Sequence, residues 1–158
     1  MTFNRSSHAV CSYAERFIFA SGSGYDFDHA ATAECFDTQT NSWTRVPDLN
    51  IARSQHASCC VDDAIYVFCG GNQKGYTDTV ERFNLHNQES GWLLIQITGL
   101  DPMDTPGAIA LNTREVLIFG GTNTRTNNHN EVSIIDLATQ NLEKVAQTNS
   151  LTINPEHH

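Results

Sequence analysis

Ala64-Ile65-Tyr66-Val67-Phe68-Cys69-Gly70-Gly71 is the stretch whose reading decides the fold. A short apolar run of strand formers ends on two glycines. Similar phrases stand at Phe17-Ile18-Phe19-Ala20-Ser21-Gly22 and Leu117-Ile118-Phe119-Gly120-Gly121-Thr122. The Phe that closes each run falls at Phe19, Phe68 and Phe119, spacings of 49 and 51 residues. A second strand-like phrase follows each time: Ala33-Glu34-Cys35-Phe36-Asp37, Val80-Glu81-Arg82-Phe83-Asn84 and Val132-Ser133-Ile134-Ile135-Asp136. Then comes a large side chain, Trp43, Trp92 or Leu142. A fixed period of roughly 50 residues, with glycines and a later Trp, indicates one supersecondary unit per repeat, the blade of a propeller.

Each repeat reads as four strands, and the class is all-β. Strands A to D are expected at 7–13, 16–20, 32–37 and 42–46 in the first copy. In the second they fall at 56–61, 64–69, 79–85 and 91–97, and in the third at 108–111, 115–119, 131–136 and 142–145. The blades are bounded at 5–50, 51–103 and 104–147, with a polar tail over 148–158. Strand B is apolar throughout rather than alternating, as expected where both faces of a sheet are covered. Asp37, Asn84 and Asp136 open the C–D turns, where Asp and Asn side chains bond their own backbone. Trp43 and Trp92 are expected in equivalent buried places, with Leu142 in the third, and each Trp→Ala change is expected to cost about 3–5 kcal/mol.

These features together resemble the Kelch repeat family. The match rests on Arg5-x-x-His8 and Arg53-x-x-His56, the double glycines, the Glu-x-Phe-Asp/Asn step and the two tryptophans, and it runs from Arg5 to Gln147. The first copy has Ser21 for one Gly. The third has Thr105 and Ala108 for Arg and His, Ser133 for Glu and Leu142 for Trp. The resemblance implies Kelch-type β-propeller blades, three of them, each a four-stranded antiparallel sheet. Most members serve as protein-binding platforms, and some propellers of this repeat are enzymes.

Three blades do not close a circle, since propellers typically have four to eight. The expected array is therefore an incomplete propeller. Either further blades continue it in a longer chain, or copies of the chain associate. A bare apolar sheet face of several hundred Å² is rarely tolerated on a soluble monomer.

Composition narrows the partners. The net charge is −9 and no cluster of Lys and Arg occurs, so neither nucleic acid nor an anionic membrane is an expected partner. No apolar run approaches the length of a membrane span. Met1–Arg5 leads into the first repeat without an apolar segment, so no signal peptide is expected and the cytoplasm is the expected compartment. Five cysteines without a Cys-x-x-Cys pair make a poor disulfide framework and read as buried, reduced thiols. The adjacent pair Cys59-Cys60 should point to opposite faces of its strand.

The candidate site is a face. In an antiparallel meander the B–C and D–A loops emerge at one end of the blade, and the loops here are longer at that end. They carry Tyr25, Asp26, Asp28, His29, Lys74, Tyr76, Asp78, Asn123, Arg125 and His129, with Arg5 and Arg53 at the entrance to strand A. Loops on a rigid scaffold are the usual seat of binding, and Tyr and Arg are enriched at hot spots. Glu34 and Glu81 could do paired-carboxylate chemistry or act as hydrogen-bond anchors. The scattered histidines show no metal-ligand spacing, and neither a metal nor any other cofactor is expected. The expectation is a non-catalytic protein–protein interaction module. The alternatives are a propeller enzyme, oxidase or sugar-modifying, and a structural piece that assembles with itself.

Overall fold

The computed structural model of the chain describes residues 1–24, 27–122 and 131–147. The first sheet comprises β1 (Ala9–Tyr13), β2 (Phe17–Ser21), β3 (Ala33–Asp37) and β4 (Ser42–Val46). Next come β5 (Ala57–Val61) and β6 (Ala64–Phe68), then a short hairpin of β7 (Gly71–Asn72) and β8 (Gly75–Tyr76), then β9 (Val80–Asn84) and β10 (Trp92–Ile95). The third sheet holds β11 (Gly107–Ala110), β12 (Glu115–Phe119), β13 (Glu131–Asp136) and β14 (Asn141–Gln147). Each sheet is an antiparallel meander of four strands, and the β7–β8 hairpin stands outside the second. The chain is thus three propeller blades in a row, an arc and not a closed ring.

The innermost strand of each blade lies beside its neighbour's, β1 against β5 and β5 against β11. Two apolar seams follow. Between the first and second blades Phe19, Ala33, Val46 and Leu49 meet Ile65, Val67, Phe83 and Trp92. Between the second and third, Cys59, Tyr66, Phe68 and Val80 meet Val116, Ile118 and Ile135. Full burial of a side chain such as Ile65 or Phe83 contributes about 1.5–3 kcal/mol. Strand β6 is buried at every position because a blade covers each side, whereas β12 alternates because one of its sides is bare. Cys59 joins one seam and Cys60 the other, on opposite faces of β5.

Cross-strand register corrects the alignment of the repeats. Phe68 pairs with Ala57 and Phe119 with Gly107, but the residue paired with Ala9 is Ser21. Ser21, Phe68 and Phe119 are therefore equivalent, and Phe19 corresponds to Tyr66 and Leu117. The two-glycine step of the first blade is Ser23-Gly24, which bonds Ser6 as Gly71 bonds Ser54. The third blade also shifts. Ser7, Gln55 and Thr105 each adopt φ near +50° at the same place, with values of 51°, 53° and 50°. Met103 and Pro106, not Thr105 and Ala108, therefore stand where the second blade has Arg53 and His56. These three residues also link the blades around the axis. Gln55 N–H donates to Ser7 O at 2.7 Å, and Thr105 N–H to Gln55 O at 2.6 Å.

Glycine is required where the entering segment of a blade passes closest. At Gly70, φ is +92° and a Cβ would lie 2.6 Å from Ser54 O and 2.7 Å from the His56 Cβ. At Gly22, φ is +73° and a Cβ would lie 2.3 Å from Arg53 O. Any side chain there would push the entering segment out of place.

The tryptophans occupy equivalent positions but differ in burial. Trp92 stacks on Phe83 at 5.1 Å, donates its indole N–H to Pro47 O at 2.8 Å, and is buried in the first seam. Trp43 packs on Phe36 at 5.1 Å but is only half-buried, because no blade covers that side. The expected large cost of Trp43→Ala therefore does not transfer from Trp92. Leu142 takes the third position and packs against the second seam.

Candidate functional site

At the loop end of the blades the chain entering strand A is held by a buried ion pair. Arg53 donates to Glu81 Oε1 at 2.8 Å, to Cys69 O at 2.6 Å, and to Thr79 O and Oγ1 at 3.1 and 2.9 Å. Glu81 in turn accepts from Asn50 N at 2.7 Å and Ile51 N at 3.1 Å. The pair thus ties strands β6 and β9 to the linker from the preceding blade. Arg5 repeats the arrangement, donating to Glu34 at 3.0 Å, Gly22 O at 2.9 Å and Thr32 O at 2.8 Å, while Thr2 N takes the place of Asn50 N. Burial pushes the Glu34 carboxyl up, but the Thr2 and Arg5 hydrogen bonds outweigh it and hold the group below the ordinary value. Burial lowers Arg53 against the pull of Glu81, and a guanidinium stays charged throughout.

This geometry corrects the reading of Arg5 and Arg53 as binding-face residues. Both stand at the expected end, but their side chains have 0% exposure. A partner cannot reach them. The Arg53 guanidinium makes five hydrogen bonds, to backbone carbonyls, the Thr79 hydroxyl and a carboxylate, and that of Arg5 makes four, to two carbonyls and a carboxylate. Glu34 and Glu81 likewise act as anchors of the linker. In the third blade both members of the pair are replaced together, by Met103 and Ser133, so no charge is left buried alone.

His56 lies under the same loops. Its Nε2 is 2.9 Å from Ser21 Oγ across the first seam, and its Nδ1 has no hydrogen-bond partner. Burial, then the charges of Arg53 and His8, push it down to about 3, so the ring is neutral. At the next seam the equivalent positions are Phe68 and Pro106, so a polar pair has become an apolar one. The thiols are inert for a related reason: burial pushes Cys11, Cys59 and Cys69 up to about 12.

Above the first seam the loop end opens into a cleft of about 690 Å³. Its walls come from both blades, including Asp28, Asn50, Ser54, Asn72, Lys74 and Tyr76. The β7–β8 hairpin, which sequence reasoning took for open loop, forms one wall. Lys74 N bonds Asn72 Oδ1 at 2.8 Å in its turn, and Asn72 Nδ2 bonds Ala52 O at 3.0 Å. Tyr76 lies over Gly71, with its ring 3.2 Å from where a Cβ would stand, and remains 40% exposed.

The other face residues divide as follows. Lys74 and Tyr76 line the cleft. His29 packs on Phe3, ring centroids 4.5 Å apart, and Asp78 is partly exposed at the end of the same hairpin loop. Tyr25, Asp26, Asn123, Arg125 and His129 lie outside the described residues. Asn50, Ser54 and Asn72 were missed, and short polar side chains in loops give little signal by themselves. Among the described residues no three His, Cys, Asp or Glu side chains converge as metal ligands, and no helix is long and apolar enough to cross a membrane.

Comparison with known proteins agrees with this architecture. Residues 7–158 match the family model described as the KLHDC2/KLHL20/DRC7 Kelch-repeats domain. A solved structure described as "Structure of YjhT" superposes with a TM-score of 0.78 at 14% sequence identity, over 93% of this chain and 53% of that one. At that identity the likeness concerns the fold, and this chain spans about half the length of that one.

Proposed function

The chain belongs to the KLHDC2/KLHL20/DRC7 Kelch-repeats domain family, and from that premise we propose that it is a non-catalytic protein-interaction module that holds a segment of a partner protein at its loop end. The observation that carries the reading is the cleft over the first seam. An exposed aromatic ring, a lysine, a carboxylate and short amide and hydroxyl side chains surround it. A few well-placed polar groups beside an aromatic anchor suit an extended polypeptide. The two blades that supply the walls are clamped below, the first by Arg5 with Glu34 and the second by Arg53 with Glu81. No catalytic role is assigned to Glu34 or Glu81, whose oxygens are engaged with their own blades. The cytoplasm is the compartment this reading assigns, and five free cysteines suit a reducing environment.

A displayed library of random peptides, selected against the purified chain, tests this. The expected result is a family of related binders, each weakened at least tenfold by Tyr76→Ala and by Lys74→Glu. No enrichment, or binders indifferent to both substitutions, would overturn the reading.

A further inference from the structure

We propose, on the reading of the cleft as a peptide site, that Asn50 reads the main chain of the bound segment: its amide oxygen is a fixed acceptor for one backbone N–H of the partner. The two hydrogens of the Asn50 amide decide this. Nδ2 donates to Glu81 Oε2 at 2.9 Å and to Trp92 O at 2.6 Å. A carboxylate and a carbonyl only accept, so the nitrogen and not the oxygen faces them. Both amide hydrogens are thereby engaged, and Oδ1 lies on the side of the planar group away from these partners. Among the described residues Oδ1 has no hydrogen-bond partner, and Asn50 is exposed in the wall of the cleft.

The oxygen is held in place from several directions. Asn50 N donates to the same Glu81 Oε2 at 2.7 Å, and Glu81 is itself held by Arg53 at 2.8 Å. Trp92 grips the linker a second time, through its indole N–H on Pro47 O at 2.8 Å. A hydrogen bond from Nδ2 to a buried carboxylate polarises the amide and strengthens Oδ1 as an acceptor. A group ordered in advance loses little freedom on binding. A lone acceptor selects a donor and disfavours a carboxylate, and an extended peptide offers one N–H per residue whatever its side chains, proline excepted. Asn72, in the same cleft, is engaged at both ends of its amide, by Ala52 O and by Lys74 N. The gap between the second and third blades has no such group. There Leu100 stands three residues before Met103, as Asn50 stands before Arg53, and it is buried. The acceptor is thus a property of this cleft and not of the repeat.

An amide-to-ester scan is the test. A peptide selected on the wild-type chain from the displayed library is remade with each backbone N–H in turn replaced by an ester oxygen. The series is titrated by fluorescence anisotropy into the wild type, Asn50→Ala and Asn50→Leu, the last of which copies Leu100. Asn50 is exposed and its own N–H still bonds Glu81 in both variants, so each should keep its far-UV spectrum. One ester is expected to weaken binding to the wild type about three- to tenfold, the worth of one hydrogen bond. The same ester should cost nothing further in either variant. A scan in which no ester penalty disappears with Asn50, while Tyr76→Ala and Lys74→Glu still weaken the peptide, overturns this assignment and leaves the peptide site standing. A side chain whose replacement couples to Asn50 in place of an N–H overturns it too. A library that yields no binder overturns the peptide site and the role of Asn50 together.

Discussion

Trp92 and Trp43 sit at the same position of two copies of one blade, and their surroundings differ by one neighbouring sheet. Trp92 has the first blade over it, donates to Pro47 O and is buried. Trp43 has the same ring partner at the same 5.1 Å but no blade beyond it. Phe68 and Phe119 repeat the contrast at 0% and 37% exposure. A side chain's worth in a repeat fold thus comes from the seam more than from the blade that carries it. The same seam supports the cleft, whose walls are shared by the two blades that meet there.

The largest way to break the comparison is to unclamp the covered blade. Glu81→Gln leaves the fully buried Arg53 guanidinium without its counter-charge and should cost about 3–5 kcal/mol in chemical denaturation. The double change Arg53→Met with Glu81→Ser, which copies the third blade's Met103 and Ser133, should cost clearly less than the sum of the two single changes. Strict additivity would mean that the two residues are not coupled.

Next come the rings. Trp92→Ala should lose about 3–5 kcal/mol, the range for a buried Trp. Trp43→Ala, removing a half-buried ring, should lose about 1 kcal/mol under conditions where the chain is monomeric. Equal losses would show that the open side is covered after all.

A pH-dependent effect sharpens the seam itself. His56 is neutral in the fold and pushed from 6.5 down to about 3. A depressed His means that the unfolded chain binds the proton first. Its contribution is fully present above pH 6.5 and is lost as pH falls toward about 3. By pH 5 the loss should be about 2 kcal/mol. His56→Asn should remove this part of the acid sensitivity, read as the difference between the two proteins' denaturation midpoints at pH 7 and pH 5. An identical acid response in both would contradict the burial of the neutral ring.

Much of this was legible in the sequence, and the exceptions have physical causes. The strands and their order follow from short apolar runs, Asp and Asn turns and glycines, all of which act locally. The alignment of copies went astray where identical letters were matched. Phe19 resembles Phe68, yet the place of Phe68 in the first blade belongs to Ser21, which faces His56 across the seam. In the third blade the Arg-x-x-His marker is gone, and only φ values and cross-strand partners reveal Met103 and Pro106 in its place. Arg5 and Arg53 were placed at the right end but on the wrong side of the surface. Their carboxylate partners lie 29 and 28 residues further on, beyond any local pattern. The cleft was half visible: Lys74 and Tyr76 stood out as loop residues, but Asn50 and Ser54 join them only because two blades meet.

The most direct measurement sets the loop end against the bare faces as the surface that meets a partner protein. A peptide selected on the wild-type chain is titrated, by fluorescence anisotropy, into Tyr76→Ala and into Phe119→Arg. Tyr76→Ala should weaken binding at least tenfold, while Phe119→Arg leaves it within twofold of wild type. Binding that survives Tyr76→Ala and is lost with Phe119→Arg would contradict the account.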